Sequence, residues 1–239
     1  MTGLKITINI FNKMHVNIII STFDRIDALK MTINSLLKSN CKDISIHVIV
    51  DGNPEIYGKL KAFYEDKGDN IKIYKNAKRK DVVYSLNKIL VETGEGCILY
   101  ASDDLIFHRN CIRTALHAMK KYFPDTDGVI GLNQIQNGIS RGRKYAFGLI
   151  GKKFTERFVD KKLFCPEYVH FNGDRELGLY AIEVNKFHYC TNAKLDHIRL
   201  PDETTRLGNT VYKSDKIIFR KRQQKQLLWG RNFGRLEEK

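Results

Sequence analysis

Residues 16–40 read VNIIISTFDRIDALKMTINSLLKSN, and the change of period inside this stretch decides the fold. Val16 to Ser21 is a short β-rich run, apolar except for Asn17 and Ser21. From Arg25 the spacing changes. Ile26, Leu29, Ile33, Leu36 and Leu37 recur at three- and four-residue intervals, which predicts a helix over 25–40. The alternation then repeats. Ser45–Val50 (SIHVIV) predicts a second strand, closed by a Gly52-Asn53-Pro54 turn, and Tyr57–Glu65 a helix. Ile71–Tyr74 predicts a third strand, and Asp81–Glu92 a helix with Val82, Val83, Leu86, Ile89 and Leu90 on one side. Cys97–Ala101 predicts a fourth strand and Asn110–Tyr122 a helix that stops at Pro124. Strands alternating with helices predict an α/β fold with a central, mostly parallel sheet flanked by helices. The second half is less regular, with strands expected at 128–133, 145–150 and 189–194 and a helix at 175–183.

The whole chain bounds the function classes. It has 239 residues, 42% hydrophobic and 28% charged, with 4 Pro. That excludes collagen-like and disordered chains. No apolar run approaches the roughly 18 residues of a membrane span. Five cysteines (41, 97, 111, 165, 190) form no C-x-x-C pair, which points to a reduced, cytoplasmic compartment. No internal repeat or Pro/Ser-rich linker divides the chain, so one domain is expected, with residues 1–14 a leader read as an extra edge strand. The net charge of +14 is uneven. Residues 1–139 carry 19 basic and 15 acidic side chains; residues 140–239 carry 22 and 12. The basic half is expected to face something anionic or to be a solvated surface.

In open α/β sheets, ligands bind beyond the carboxyl ends of the strands. Three such ends are polar here: Ser21-Thr22-Phe23-Asp24-Arg25, Asp51-Gly52-Asn53 and Ser102-Asp103-Asp104. Together they offer hydroxyls, carboxylates and a cation, a set that suits a nucleotide diphosphate with Mg²⁺ or Mn²⁺, since such ions take one or two carboxylates plus phosphate oxygens. Each segment also has a structural use: Ser21 or Asp24 as a helix cap, Asp51–Pro54 as a turn, Asp103 or Asp104 as a later cap.

The order of these segments resembles the family 2 glycosyltransferases of GT-A (Rossmann-like) fold, over roughly residues 15–206. The carrying stretches are Ile18-Ile19-Ile20-Ser21-Thr22-Phe23-Asp24-Arg25, Val50-Asp51-Gly52-Asn53-Pro54 and Asn76 with Tyr84-Ser85-Leu86-Asn87. They continue with Ile98-Leu99-Tyr100-Ala101-Ser102-Asp103-Asp104, Leu163-Phe164-Cys165-Pro166-Glu167, Asn172-Gly173-Asp174-Arg175-Glu176-Leu177 and Asn192-Ala193-Lys194-Leu195-Asp196-His197. Departures from the family pattern are one Asp fewer at 51, the missing Gly of Asn-x-Gly after Asn76, Ser102 for the first Asp of Asp-x-Asp, and Gly173 where Glu precedes the Asp.

The resemblance implies a metal-dependent, inverting transfer from a nucleotide-sugar, UDP-linked in the first instance. Asp51 would contact the base and Thr22 would line that pocket, with Asn76 beside it. Asp104 and His197 would hold the divalent metal (Mn or Mg), and Asp103 the ribose or the metal's surroundings. Asp174 would be the base, with Glu176 the rival; two residues apart on a helix, they would not share a face. The chemistry needs such groups: a carboxylate takes the acceptor proton, and cations stabilise the leaving diphosphate, for which Arg25, Lys78 and Arg79 are candidates. Within this reading, residues 1–105 form the nucleotide-sugar half, 106–212 the acceptor half and 213–239 a basic C-terminal extension.

Arg141, Arg143, Lys144, Lys152, Lys153, Arg157, Lys161 and Lys162 fall on the acceptor side, with Arg141, Arg143, Lys152 and Lys153 the acceptor-binding candidates. From Lys213 onward nine basic residues interleave with Phe219, Leu227, Leu228, Trp229 and Phe233. That composition serves nucleic acid, an anionic membrane face or a helix packed on the core. Two acceptor classes follow: an envelope glycan or lipid-linked acceptor at the inner membrane surface, or a hydroxylated base in DNA, flipped out of its duplex. The competing readings are a non-catalytic nucleic-acid or membrane binder that keeps the fold, and a nucleotidyltransferase, whose Gly-rich loop after the first strand is missing from Ser21–Arg25.

Overall fold

A computed structural model describes residues 14–158, 160 and 162–231. The leader up to residue 13, Lys161 and the last eight residues, Phe233 among them, lie outside the described residues. The first half alternates as the periodicity predicts: β1 (Val16–Thr22), α1 (Ile26–Leu37), β2 (Ile44–Asp51), α2 (Pro54–Tyr64), β3 (Ile71–Asn76), α3 (Asp81–Val91) and β4 (Cys97–Ser102). There follow β5 (Leu105–Phe107), α4 (Cys111–Tyr122), β6 (Val129–Gln136), β7 (Ile139–Ser140), β8 (Gly148–Ile150) and α5 (Lys152–Thr155). The chain ends with α6 (Gly173–Glu183), β9 (Phe187–His197), α7 (Glu203–Thr210) and α8 (Tyr212–Gln224).

One sheet holds these strands in the order β3-β2-β1-β4-β8-β6-β9-β5, with β7 beside β6. β1 pairs in parallel with both β2 and β4, and β6 with β9, while β8 and β5 run against their neighbours. The sheet is therefore mostly parallel, as the alternation requires. Both faces are covered, which is why β1 is nearly all apolar. Ile18 and Ile20 pack with α1 residues Leu29 and Ile33 on one face. Ile19 packs on the other with Val83 and Leu86 of α3 and Leu177 of α6. Asn17, the polar interruption, is buried and answered: its amide donates to the Gly94 carbonyl at 3.2 Å and its oxygen meets His47 Nε2 at 3.1 Å.

Register sets the site. Ser21 lies opposite Ser102 and Thr22 opposite Val50, so β1, β2 and β4 end together at one sheet edge. β5 then turns back along β9 and pairs Leu105 with His197. A carboxylate motif and a histidine more than ninety residues later thus become neighbours through a three-residue strand that periodicity cannot reveal. The turn after β2 demands glycine: Gly52 has φ +78°, and a Cβ there would lie 2.2 Å from the Arg79 backbone nitrogen. Asn53 caps α2 by accepting from Ile56 N at 3.2 Å, with Pro54 in the first turn.

In the described part of the tail, one face packs on the core through Phe219, Leu228 and Trp229, while most side chains of 212–226 are exposed. Asp215, Phe219 and Arg222 recur at helical spacing and are all buried. The Asp215 carboxylate accepts from the backbone N–H of Val169, His170 and Phe171 at 3.0, 2.8 and 2.6 Å. Arg222 pairs with Glu176 at 2.8 Å, and Tyr168 Oη and Trp229 N donate to the same carboxylate. Glu176 is 1% exposed. Removing one partner of a buried pair leaves an uncompensated charge, which costs about 3–5 kcal/mol. Arg222→Ala is expected to lower unfolding free energy by about 3 kcal/mol in urea titration, with Lys221→Ala, one residue away on the exposed side, changing it by less than about 0.5 kcal/mol.

Candidate active site

The carboxyl ends of β1, β2 and β4 open into a cavity of about 690 Å³. Thr22, Arg25, Asp51, Arg79, Asp103, Asp104, Asp174 and His197, eight residues nominated from the sequence, all line it. So does Arg143.

At the β2 end, Asp51 is 5% exposed. Its carboxylate accepts from Asn76 Nδ2 at 2.7 Å, Lys80 N at 2.9 Å and Asp81 N at 2.8 Å. A carboxylate has about four acceptor positions, so one remains for a ligand donor. Asn76 is buried, donates also to Ser85 Oγ at 2.8 Å and does not line the cavity. It holds Asp51 in place. Arg79 pairs with Asp81 at 2.7 Å and lies over the Phe23 ring at 5.1 Å, forming the wall beside Asp51. Lys78 is exposed and outside the cavity.

At the β4 end the two carboxylates differ. Asp103 accepts from Thr22 Oγ1 at 2.7 Å and Arg25 Nη1 at 3.2 Å. Burial raises its pKa to about 7, the charge of Asp104 adding to this and Arg25 and Thr22 opposing it. Burial acts the same way on Asp104, but the His197 and Ser102 hydrogen bonds and the charges of His197 and Arg25 outweigh it and hold Asp104 below the usual carboxylate range. Arg25 also binds Asp202 through Nε and Nη2, both at 2.7 Å, and donates to Thr205 Oγ1 at 2.6 Å. Burial works against its charge, but three carboxylates overcome that and raise its pKa. One guanidinium therefore ties the β1 loop, the Asp103-Asp104 pair and the start of α7.

His197 Nε2 stands 3.2 Å from Asp104 Oδ1, and its Nδ1 is 2.9 Å from the Gln134 amide nitrogen. One carboxylate and one imidazole on a cavity wall fit a divalent cation that completes its shell with phosphate oxygens and water. Among the described residues no three His, Cys, Asp or Glu side chains form a ready-made cage.

Asp174 sits in the first turn of α6 and lines the same cavity. Burial raises its pKa to about 6, against backbone N–H donors at 174 and 175 and the charges of Arg143 and Arg175. Asn172, not Asp174, is the N-cap residue of α6. Glu176 faces the other way, into the Arg222 pair, and does not reach the cavity; this corrects its reading as a rival base. Lys152 and Lys153 pair with Glu95 and Asp125, away from the cavity, and Arg141 does not line it.

Residues 199–212 supply a wall that sequence reading missed. Arg199, Thr204, Thr205, Gly208 and Tyr212 face the cavity. One signal was available: Asp202 caps α7 by accepting from Thr205 N at 3.0 Å, an Asp-x-x-Thr start. Gln134 and His170 also line the cavity, and Gln134 Oε1 and His170 Nδ1 are buried without a hydrogen-bond partner.

The sequence profile described as Glycosyl transferase family 2 matches residues 17–175. No curated protein matches the chain. Among solved structures, Staphylococcus aureus TarS residues 1–349 superposes with TM-score 0.63 at 14% identity, covering 77% of this chain and 60% of its own. The same protein in complex with UDP-GlcNAc gives 0.65 at 13%, covering 80% and 60%. The mannosyltransferase PcManGT from Pyrobaculum calidifontis, in complex with GDP-Man and Mn²⁺, gives 0.64 at 10%, covering 88% and 65%. The chain thus spans about 60% of the length of the TarS 1–349 structures it matches.

Arg25→Gln removes the charge that ties α7 to the Asp103-Asp104 pair. Amides of 203–210 are expected to exchange with deuterium at least tenfold faster in this variant, while those of β1 and β2 stay protected.

Proposed function

The chain belongs to the family 2 glycosyltransferases, and from that premise we propose that it moves a sugar from a nucleotide-sugar to a hydroxyl on an anionic acceptor, with inversion at the anomeric carbon. The observation that carries this is the meeting of Asp51, the Asp104–His197 pair and Asp174 around one cavity.

Asp51 takes the base edge through its remaining acceptor position, with Thr22, Arg79 and Phe23 as the walls of that pocket. Asp103, hydrogen-bonded to Thr22, faces the ribose. Asp104 and His197 would hold a divalent cation, which when bound supplies positive charge to the diphosphate. Arg25 and Arg199 add fixed cationic charge on the same side. Asp174 takes the proton of the acceptor hydroxyl as its oxygen attacks the anomeric carbon. The new glycosidic bond forms as the bond from that carbon to the diphosphate oxygen breaks, and the nucleoside diphosphate leaves. Arg143, at the mouth beside Asp174, draws the anionic acceptor.

The donor assignment is tested by thermal shift with sugar nucleotides, UDP-sugars first, with and without Mn²⁺. One nucleotide is expected to raise the melting temperature in a metal-dependent way, and Asp104→Ala to abolish that gain. A wild-type protein that melts identically with every nucleotide contradicts the proposal.

The base must be ionised, so activity is lost as pH falls through the Asp174 pKa. The kcat/KM profile is expected to show an acid limb near pH 6, the value burial imposes. Because Arg143 lowers that pKa, Arg143→Gln is expected to move the limb to higher pH. A limb that stays put in this variant removes Asp174 from the role.

A further inference from the structure

A second cavity, of about 240 Å³, lies between α6 and α8. Its walls are Asn172, Arg175, Tyr212, Lys216, Arg220 and Gln223, over a floor formed by Phe219. The helical period explains the α8 contribution. Tyr212, Lys216 and Arg220 are four residues apart and Gln223 three further, so they share one face. The neighbouring stripe of Asp215, Phe219 and Arg222 is the one buried against the core.

The chemistry of this cavity is one-sided. Three cations line it and no Asp or Glu does. Among the described residues, Arg175, Lys216 and Arg220 make no ion pair. Arg175 is held over the Phe219 ring at 4.6 Å, and Lys216 lies 5.7 Å from the Tyr212 ring centroid. Asn172 Nδ2 is buried with no acceptor. A buried donor without a partner is costly, and like charges gathered without a counter-charge repel. A solvated helix face would account for Lys216 and Arg220, but it leaves the buried Asn172 amide unanswered. A compact oxyanion answers both, accepting from the amide and neutralising the cations.

We propose that this cavity binds a phosphate-class oxyanion, with Asn172, Arg175, Lys216 and Arg220 as its donors. The site is separate from the donor cavity and does not rest on the transferase reading. Its position still matters for that reading. Asn172 and Arg175 flank the Gly173-Asp174 turn, and Tyr212 lines both cavities. A phosphate held here sits one turn of chain from the Asp174 carboxylate, where a phosphate group of an acceptor could reach it.

The test is calorimetric titration of the full chain with inorganic phosphate and, separately, with linear polyphosphate. Lys216→Ala/Arg220→Ala is expected to weaken binding of the polyphosphate at least tenfold. Its log–log salt slope should fall by roughly two, about one per cation removed. Asn172→Asp, which keeps the backbone but replaces the buried donor with a carboxylate, is expected to weaken both probes. UDP binding should change less than twofold in every variant; if UDP fails to bind wild type, the transferase reading fails while this site stands. Polyphosphate binding more than tenfold tighter than phosphate identifies a chain of phosphates as the ligand, and equal affinity identifies a single free anion. Wild type that binds neither probe, or variants that bind both as wild type does, overturn the proposal.

Discussion

Three carboxylates are buried at one edge of the sheet, and the architecture around them is the answer to that burial. Asp51, Asp103 and Asp104 are each at most 5% exposed. An isolated buried carboxylate costs many kcal/mol unless it is paired or neutralised. Asp51 is answered by an amide and two backbone N–H groups, which obliges the chain to turn tightly at Gly52 and to bring residues 79–81 against it. Asp103 and Asp104 are answered by Arg25, and Arg25 in turn recruits Asp202 and Thr205. The wall formed by residues 199–212 follows from that guanidinium. The same carboxylates that are costly to bury are the ones that line the cavity, so the burden on the fold and its proposed use coincide.

The first half of the chain was legible because its signals are local. The switch from a short apolar run to three- and four-residue spacing at Arg25 predicts β1 and α1, and the same reasoning places β2, β3, β4, α3 and α4 to within a few residues. What was illegible depends on partners distant in sequence. β5 has three residues and acquires its meaning only by pairing Leu105 with His197. α7 and α8 are charged segments with little apolar pattern. Of the three buried residues of α8, Asp215 and Arg222 are charged and would be read as solvent-facing from the sequence. The site follows the same rule. Residues at strand ends were found, whereas Gln134 and Arg199 come from segments with no motif, and the Asp202–Thr205 helix start was passed over. Glu176 stood as the rival base because, like Asp174, it carries a carboxylate; its burial against Arg222, Tyr168 and Trp229 distinguishes the two.

The uneven charge resolves into separate uses. Arg222 is spent inside the fold, Arg25 inside the site, and Lys152 and Lys153 on surface acids, pairs worth little when exposed. Arg143 and Arg199 at the cavity and Arg175, Lys216 and Arg220 beside α6 have no ion-pair partner among the described residues. Unpaired positive charge therefore lines both cavities. No described helix is long and apolar enough to cross a membrane, and the part of α8 that faces the core does so through Asp215, Phe219 and Arg222. α8 braces the loop before Asp174 on its inner side and offers cations on its outer side.

In the proposed transfer, Asp174 removes the acceptor proton while the donor is held in the same cavity. The most direct measurement is Asp174→Asn, an isosteric change that keeps the backbone donors satisfied but cannot take a proton. Donor affinity by calorimetry and transfer rate would be measured on the same preparation. The account predicts donor binding within about twofold of wild type and transfer slower by about 10²–10⁴. Transfer at the wild-type rate with donor bound would contradict it.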